Sequence, residues 1–135
     1  MTRDEAALVV IAKVIVREGD IAQVKGESWV TRFGQTPHWL NALGLPEPTN
    51  AQEAAANYQV WLVRTGLIGI CDYPDDLADA VIDFAVHTGH SPAIKHLQRA
   101  LGDGLTTDGI WGPETQRAVD RCDRSRVARR VLAER

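Results

Sequence analysis

The 135-residue chain is short of cysteine, aromatic residues, long apolar runs and charge of one sign. Each shortage excludes something. Two cysteines, Cys71 and Cys122, cannot supply the dense bridges of a small disulfide scaffold. They also stand at no metal-ligand or redox spacing, so one bridge or two free thiols remain open. The apolar opening, Ala6–Ile11 with Val14–Val16 beyond Lys13, falls short of the roughly 20 residues that cross a bilayer. A secretory signal would start basic and run longer, whereas Asp4 and Glu5 stand at the start here. The expectation is synthesis in the cytoplasm without a signal peptide, no membrane insertion, and an N-terminus folded into the domain. A net charge of −3 does not make a broad cationic surface for nucleic acid. No internal repeat, low-complexity segment, phosphate-cradling glycine loop or nucleophile elbow is present.

What remains is ordinary globular material, 44% hydrophobic and 24% charged. A chain of this length buries roughly two-thirds of its unfolded surface, enough for one core. Charge is uneven. Before Pro113 there are 8 Lys/Arg against 14 Asp/Glu, and from Pro113 onward 7 Arg against 4 Asp/Glu. The basic end suits either a polyanion or a solvated helix face, and the acidic remainder argues against a nucleic-acid partner.

Helical signals dominate. Thr2 and Glu5 have capping-box spacing, and Leu8, Ile11, Ala12 and Ile15 share one face of a helix over 2–18, with Gly19 as its stop. Residues 20–48 are irregular and rich in Gly and Pro, with a hairpin at Gly26 and a short helix at His38–Leu43 as the elements to look for. Asn50 and Glu53 start a helix to Thr65 that turns Ala54, Tyr58, Trp61 and Leu62 inward and closes at Gly66. Pro74, Asp75 and Asp76 start another to Thr88, with Leu77, Ala80, Val81 and Phe84 inward. Ser91-Pro92 opens a third, with Ile94, Leu97 and Leu101 inward and Gly102 as its stop. After a loop at Asp103–Gly112, Pro113 opens a single last helix to Leu132. The fold class predicted is mainly α, with room for a small β-hairpin after the first helix.

Among the carboxylates, Glu18 stands out. It ends an apolar helix, where partial burial and the negative end of the helix dipole both favour its neutral form. A carboxyl that keeps its proton is what a general acid needs. A surface Glu paired with Arg17 or Lys13 is the plainer reading. Asp20 and Glu27 follow in the loop, where a second carboxylate would activate water or stabilise positive charge in glycoside hydrolysis. Thr31 offers a hydroxyl to hold that water. Trp29 and Trp39 flank the same region with faces suited to sugar rings, or to a core. His38, His87, His90 and His96 are scattered, His87 and His90 lack a third ligand at a recognisable spacing, and no metal or other cofactor is implied.

Glu18-Gly19 followed by Thr31-x-Phe33-Gly34-x-Thr36 resembles the N-terminal signature of the phage-type N-acetylmuramidases of glycoside hydrolase family 108. Asp83-Phe84-Ala85-Val86-His87-Thr88-Gly89 is similar to a helix end of that family. Leu97-Gln98-Arg99-Ala100-Leu101-Gly102 and Asp108-Gly109-Ile110-Trp111-Gly112-Pro113-Glu114-Thr115 resemble its peptidoglycan-binding part. The chain departs in carrying Asp20 for the family's second Gly and His87 for its Asn, and its loop before Thr31 is shorter.

The resemblance implies a lysozyme-like helical domain, with residues 1–90 as the catalytic part and 91–135 as a peptidoglycan-binding-like part packed on it in one compact unit. It implies hydrolysis of the β-1,4 bond between N-acetylmuramic acid and N-acetylglucosamine, with Glu18 as the acid. Asp20, Glu27 or Thr31 would serve the water, and Trp29, Phe33, Gly34, Thr36, Trp39 and His87 would contact substrate. Expected partners are peptidoglycan strands, met at the cell wall or periplasm by a monomer, with a holin or a phage-like particle as the route there. The alternative is a catalytically weak wall-binding or virion-associated module.

Overall fold

The computed structural model describes residues 1–18, 21–22, 31–102 and 104–134. Its helices are α1 (Arg3–Glu18), α2 (Pro37–Leu43), α3 (Ala51–Thr65), α4 (Asp76–Thr88), α5 (His90–Leu101), α6 (Pro113–Arg121) and α7 (Arg124–Ala133). A 3-10 helix, Leu67–Asp72, joins α3 to the approach to α4. Two short strands, β1 (Ile21–Ala22) and β2 (Thr31–Arg32), pair antiparallel with Ile21 opposite Arg32. The architecture is the mainly α, lysozyme-like class predicted, with a small antiparallel pair after the first helix.

Local chemistry explains most of the boundaries. The Thr2 hydroxyl accepts from the Glu5 amide at 3.1 Å, which closes the first turn of α1. Asn50 accepts from the Glu53 amide at 2.9 Å, and the Glu53 carboxylate reaches back to the Thr49 amide at 2.8 Å. Asp75 caps α4 through the Leu77 and Ala78 amides.

α4 packs on α5 and α7, while α1 lies against α3, the 3-10 helix and α4. One cluster of buried side chains runs through all of these, from Val10 and Ile11 on α1 to Trp61 and Leu62 on α3, Val81 on α4, Leu97 on α5 and Val131 on α7. Each large aliphatic side chain fully covered there contributes about 1.5–3 kcal/mol of burial.

Three expectations need correction. α1 buries Ala7, Val10, Ile11 and Val14 rather than the face of Leu8, Ala12 and Ile15, and Leu8 is 44% exposed. That is a rotation of one residue, about 100°. The helix is apolar on nearly every side, so its pattern does not choose a face. Its charges agree with the observed orientation: Lys13 meets Asp79 at 2.9 Å and Arg17 meets Asp83 at 3.1 Å, two rungs with the same four-residue spacing on α1 and α4.

The final helix is in fact two. Cys122 is extended, and Asp123 starts α7 by accepting from the Arg126 amide at 3.2 Å. Phe84, expected inward on α4, is only half-buried beside His96, and Ile82 and Ala85 are buried instead. Both cysteines are free, and burial pushes the Cys71 thiol up to about 12. No helix among the described residues is long and apolar enough to cross a membrane.

Candidate functional site

Glu18 is the last residue of α1, where the helix hands over to β1. Its side chain is 18% exposed and turns to α4, not along its own helix. Glu18 Oε1 lies 2.9 Å from His87 Nε2, and the other ring nitrogen, Nδ1, lies 2.8 Å from the Asp83 carbonyl oxygen. The partners that a plain surface Glu would take, Lys13 and Arg17, are held by Asp79 and Asp83 instead.

The turn after β2 forms the other wall. Phe33 and Gly34 both have left-handed backbones, with φ of 56° and 79°. A methyl group on Gly34 would sit 2.7 Å from Tyr58 Oη and 2.9 Å from Glu18 Cγ. Glycine is therefore required twice here, once for the backbone and once for the approach of the Glu18 stem. Tyr58 rises from α3 and donates its hydroxyl hydrogen to the Phe33 carbonyl. Burial, and after it the charge of Glu18, raises the Tyr58 phenol above its ordinary value, so it stays a neutral donor.

The turn is secured from below. Gln35 is buried, donates to the Ala54 carbonyl at 2.8 Å and accepts from Asn57 at 2.9 Å. Thr36 caps α2 by accepting from the Trp39 amide at 3.1 Å. Phe33 is buried, and half-buried Trp39 packs on Tyr58 and Trp61 at ring separations of 5.6 and 6.0 Å.

The structure thus brings Glu18, Gly34 and His87 together, with Phe33 and Trp39 in the scaffold beneath and Thr36 as a helix cap. Asp20, Glu27 and Trp29 lie outside the described residues, as does the side chain of Thr31. Arg17, Tyr58 and Asp83 are the site residues that sequence reasoning missed. Asp83 and His87 are spaced four apart on one helix face, a signal that was available.

Glu18, Asp83 and His87 each offer one atom within 4.8 Å of the others, the one grouping of this kind among the described residues. Arg17 and the His87 ring already face its carboxylates, so we read it as an internally paired network.

The C-terminal motifs build scaffold. Buried Gln98 donates towards Asp108 Oδ1 at 3.0 Å, the Ile110 carbonyl at 3.1 Å and Thr115 Oγ1 at 3.1 Å, and accepts from the Gly109 amide at 3.0 Å. One amide thereby ties the Asp108–Thr115 turn to α5. In the basic tail, Arg124 pairs with Asp75 at 2.8 Å and lies over the Tyr73 ring, and Arg130 donates to the Ala100 carbonyl at 3.1 Å.

In fold the chain is similar to Brucella abortus SagA. The two structures align with a TM-score of 0.73 over 96% of this chain and 76% of that one, at 22% sequence identity. The sequence matches no family model and no curated protein. The likeness to SagA is therefore one of architecture.

Proposed function

We propose that the chain is a peptidoglycan hydrolase, a muramidase cleaving the β-1,4 bond between N-acetylmuramic acid and N-acetylglucosamine. Glu18 protonates the departing glycosidic oxygen, and water attacks the oxocarbenium-like carbon. The observation that carries this reading is the placement of Glu18: a largely covered carboxyl at a helix end, turned away from the cations of its own helix and set between a glycine turn and a histidine. A surface carboxylate with a structural ion pair would have no need of the Gly34 approach. The resemblance of the Glu18-Gly19 and Thr31–Thr36 segments to muramidases points the same way. Such an enzyme acts at the cell wall or periplasm, and a holin-type pore or a phage-like particle is the route we propose for it.

Glu18→Gln is expected to keep the circular dichroism and melting of the parent while losing at least about a hundredfold in lysis of purified walls, since one general acid is worth roughly 10²–10⁴. Mass spectrometry of the digest should find N-acetylmuramic acid at the new reducing end. Wall binding with no released reducing sugar would instead identify a binding module, and near-parental lysis by the variant would remove Glu18 from the chemistry.

A further inference from the structure

We propose that the groove between α1, α4 and α7 binds the peptide stem of the glycan substrate, with Arg129 taking a stem carboxylate and Asp76 the free amine of a diamino residue. The identity of the ligand rests on the muramidase reading. The shape and charges of the groove do not.

The groove has a volume of about 500 Å³, within the roughly 300–1,000 Å³ of ordinary ligand sites. α4 packs on both α1 and α7, so it forms the floor and they form the walls. Asp76, Asp79 and Asp83 line it from α4, Arg17 from α1, and Ser125 and Arg129 from α7. One end adjoins the candidate site. There the Asp83 carboxylate, which lines the groove, is also 3.7 Å from Nδ1 of the His87 ring that meets Glu18.

Its charges are partly matched and partly free. Lys13 holds Asp79 at 2.9 Å, and Arg17 holds Asp83 at 3.1 Å. Asp76 and Arg129 are exposed, and neither has an ion pair among the described residues. The groove is therefore not a general acidic patch. It offers one free anion and one free cation on neighbouring helices. A ligand that carries both signs on a short chain complements that pair, and a bare sugar polymer does not.

Spacing agrees with a peptide stem. Muramic acid carries its peptide on the lactyl ether of the sugar whose bond is cut, so the stem starts beside the acid. Its second residue, a γ-linked glutamate, leaves one carboxylate free, and a diamino third residue leaves an amine. At about 3.3–3.6 Å per extended residue, the third lies roughly 10 Å from the lactyl group. Asp76 precedes Asp83 by seven residues of α4, which is also about 10 Å. α7 starts beside α4, where Arg124 meets Asp75 at 2.8 Å, and Arg129 lies five residues on, about 7.5 Å along. Arg129 thus stands between Asp76 and Asp83, where the second residue passes. No bond forms or breaks in the groove. Holding the stem there positions the sugar over Glu18.

The test has two arms. In the first, kcat/KM is measured on three preparations of one diaminopimelate-type wall: strands with stems, the same strands with the diamino amine acetylated, and strands freed of stems by an amidase. The parent is expected to be at least about tenfold better on stem-bearing than on stripped strands, and to fall about threefold on acetylation. Asp76→Asn/Arg129→Gln should lose about tenfold on stem-bearing strands and less than about twofold on stripped ones. Asp76→Asn alone should not respond to acetylation. In the second arm, a muramyl tripeptide ending in meso-diaminopimelate is titrated into Glu18→Gln. Backbone NMR signals of Asp76 and Arg129 should shift, and adding the double substitution should weaken binding at least about fivefold.

Equal losses on stem-bearing and stripped strands, a parent indifferent to the stem, or a tripeptide that moves no signal on α4 and α7 each overturn the proposal. Lysis that ignores the stem removes the groove and leaves the muramidase. A protein that cuts no wall but binds the tripeptide at Asp76 and Arg129 keeps the groove and loses the muramidase reading.

Discussion

Two glycines separate backbone strain from side-chain crowding at single-residue scale. Gly34 and Gly44 both have left-handed backbones, with φ of 79° and 67°. Alanine at either position is expected to cost about 1–2 kcal/mol for that conformation alone. At Gly44 nothing lies within 4 Å of the added methyl, whereas at Gly34 it meets Tyr58 Oη at 2.7 Å and Glu18 Cγ at 2.9 Å. Urea unfolding should therefore show a loss of about 1–2 kcal/mol for Gly44→Ala, with lysis unchanged. Gly34→Ala should lose as much stability or more, and its lysis should drop at least about tenfold because the acid is displaced. Equal lysis by the two variants would mean that the contact between Gly34 and Glu18 does not position the carboxyl.

The site was half legible at this scale. Glu18 and Gly34 carry local signals, a helix end and a glycine inside a motif. Asp83 carries one in its four-residue spacing from His87, but its contact with Arg17 does not show, because it spans 66 residues and depends on which face α1 presents to α4. Tyr58 reads as core because it is core: the same buried stripe that packs α3 also carries its hydroxyl to the Phe33 carbonyl.

At the scale of elements, what could be read was the capping chemistry. Thr2 with Glu5, Asn50 with Glu53, and Asp75 each stand where the sequence places a helix start. Two elements escaped. Leu67–Asp72 has too little polar contrast for a period to show, and it forms a 3-10 helix whose Leu67, Ile70 and Cys71 are all buried. The break between α6 and α7 has neither Gly nor Pro to mark it. Asp123 makes it, by taking the Arg126 amide with its side chain.

Asp123→Ala is expected to cost about 1 kcal/mol in urea unfolding, the usual worth of an N-cap. Asp123→Asn and Asp123→Ser should recover most of that, since each keeps an acceptor at the cap. If alanine is as stable as the parent, the break is set by packing of Val119 and Val127 and not by the cap.

At the scale of the whole molecule, one buried cluster joins the first helix to the last, so acid should unfold the chain in a single step. Two carboxylates set part of its acid limit. Asp108 is held below its ordinary value by the Ile110 amide and then by Gln98, and Asp120 by the Tyr73 hydroxyl and then by Gln116. Both tie α6 to its surroundings, one through the turn before it and one through its last turn. A folded-state value lowered in this way adds stability that is complete above the unfolded value, near 3.9, and disappears as pH falls through the lowered folded value.

The melting temperature of the parent should therefore hold above about pH 5 and decline as pH falls below about 4. The double variant Asp108→Asn/Asp120→Asn should start lower at neutral pH and fall less over that range, because the protons it would have taken up on unfolding are gone. Circular dichroism and tryptophan fluorescence should give the same midpoint at each pH. Parallel melting curves for parent and variant would show that these two carboxylates do not set the acid limit, and separate midpoints for the two probes would show that α6 and α7 come away from the rest before the core opens.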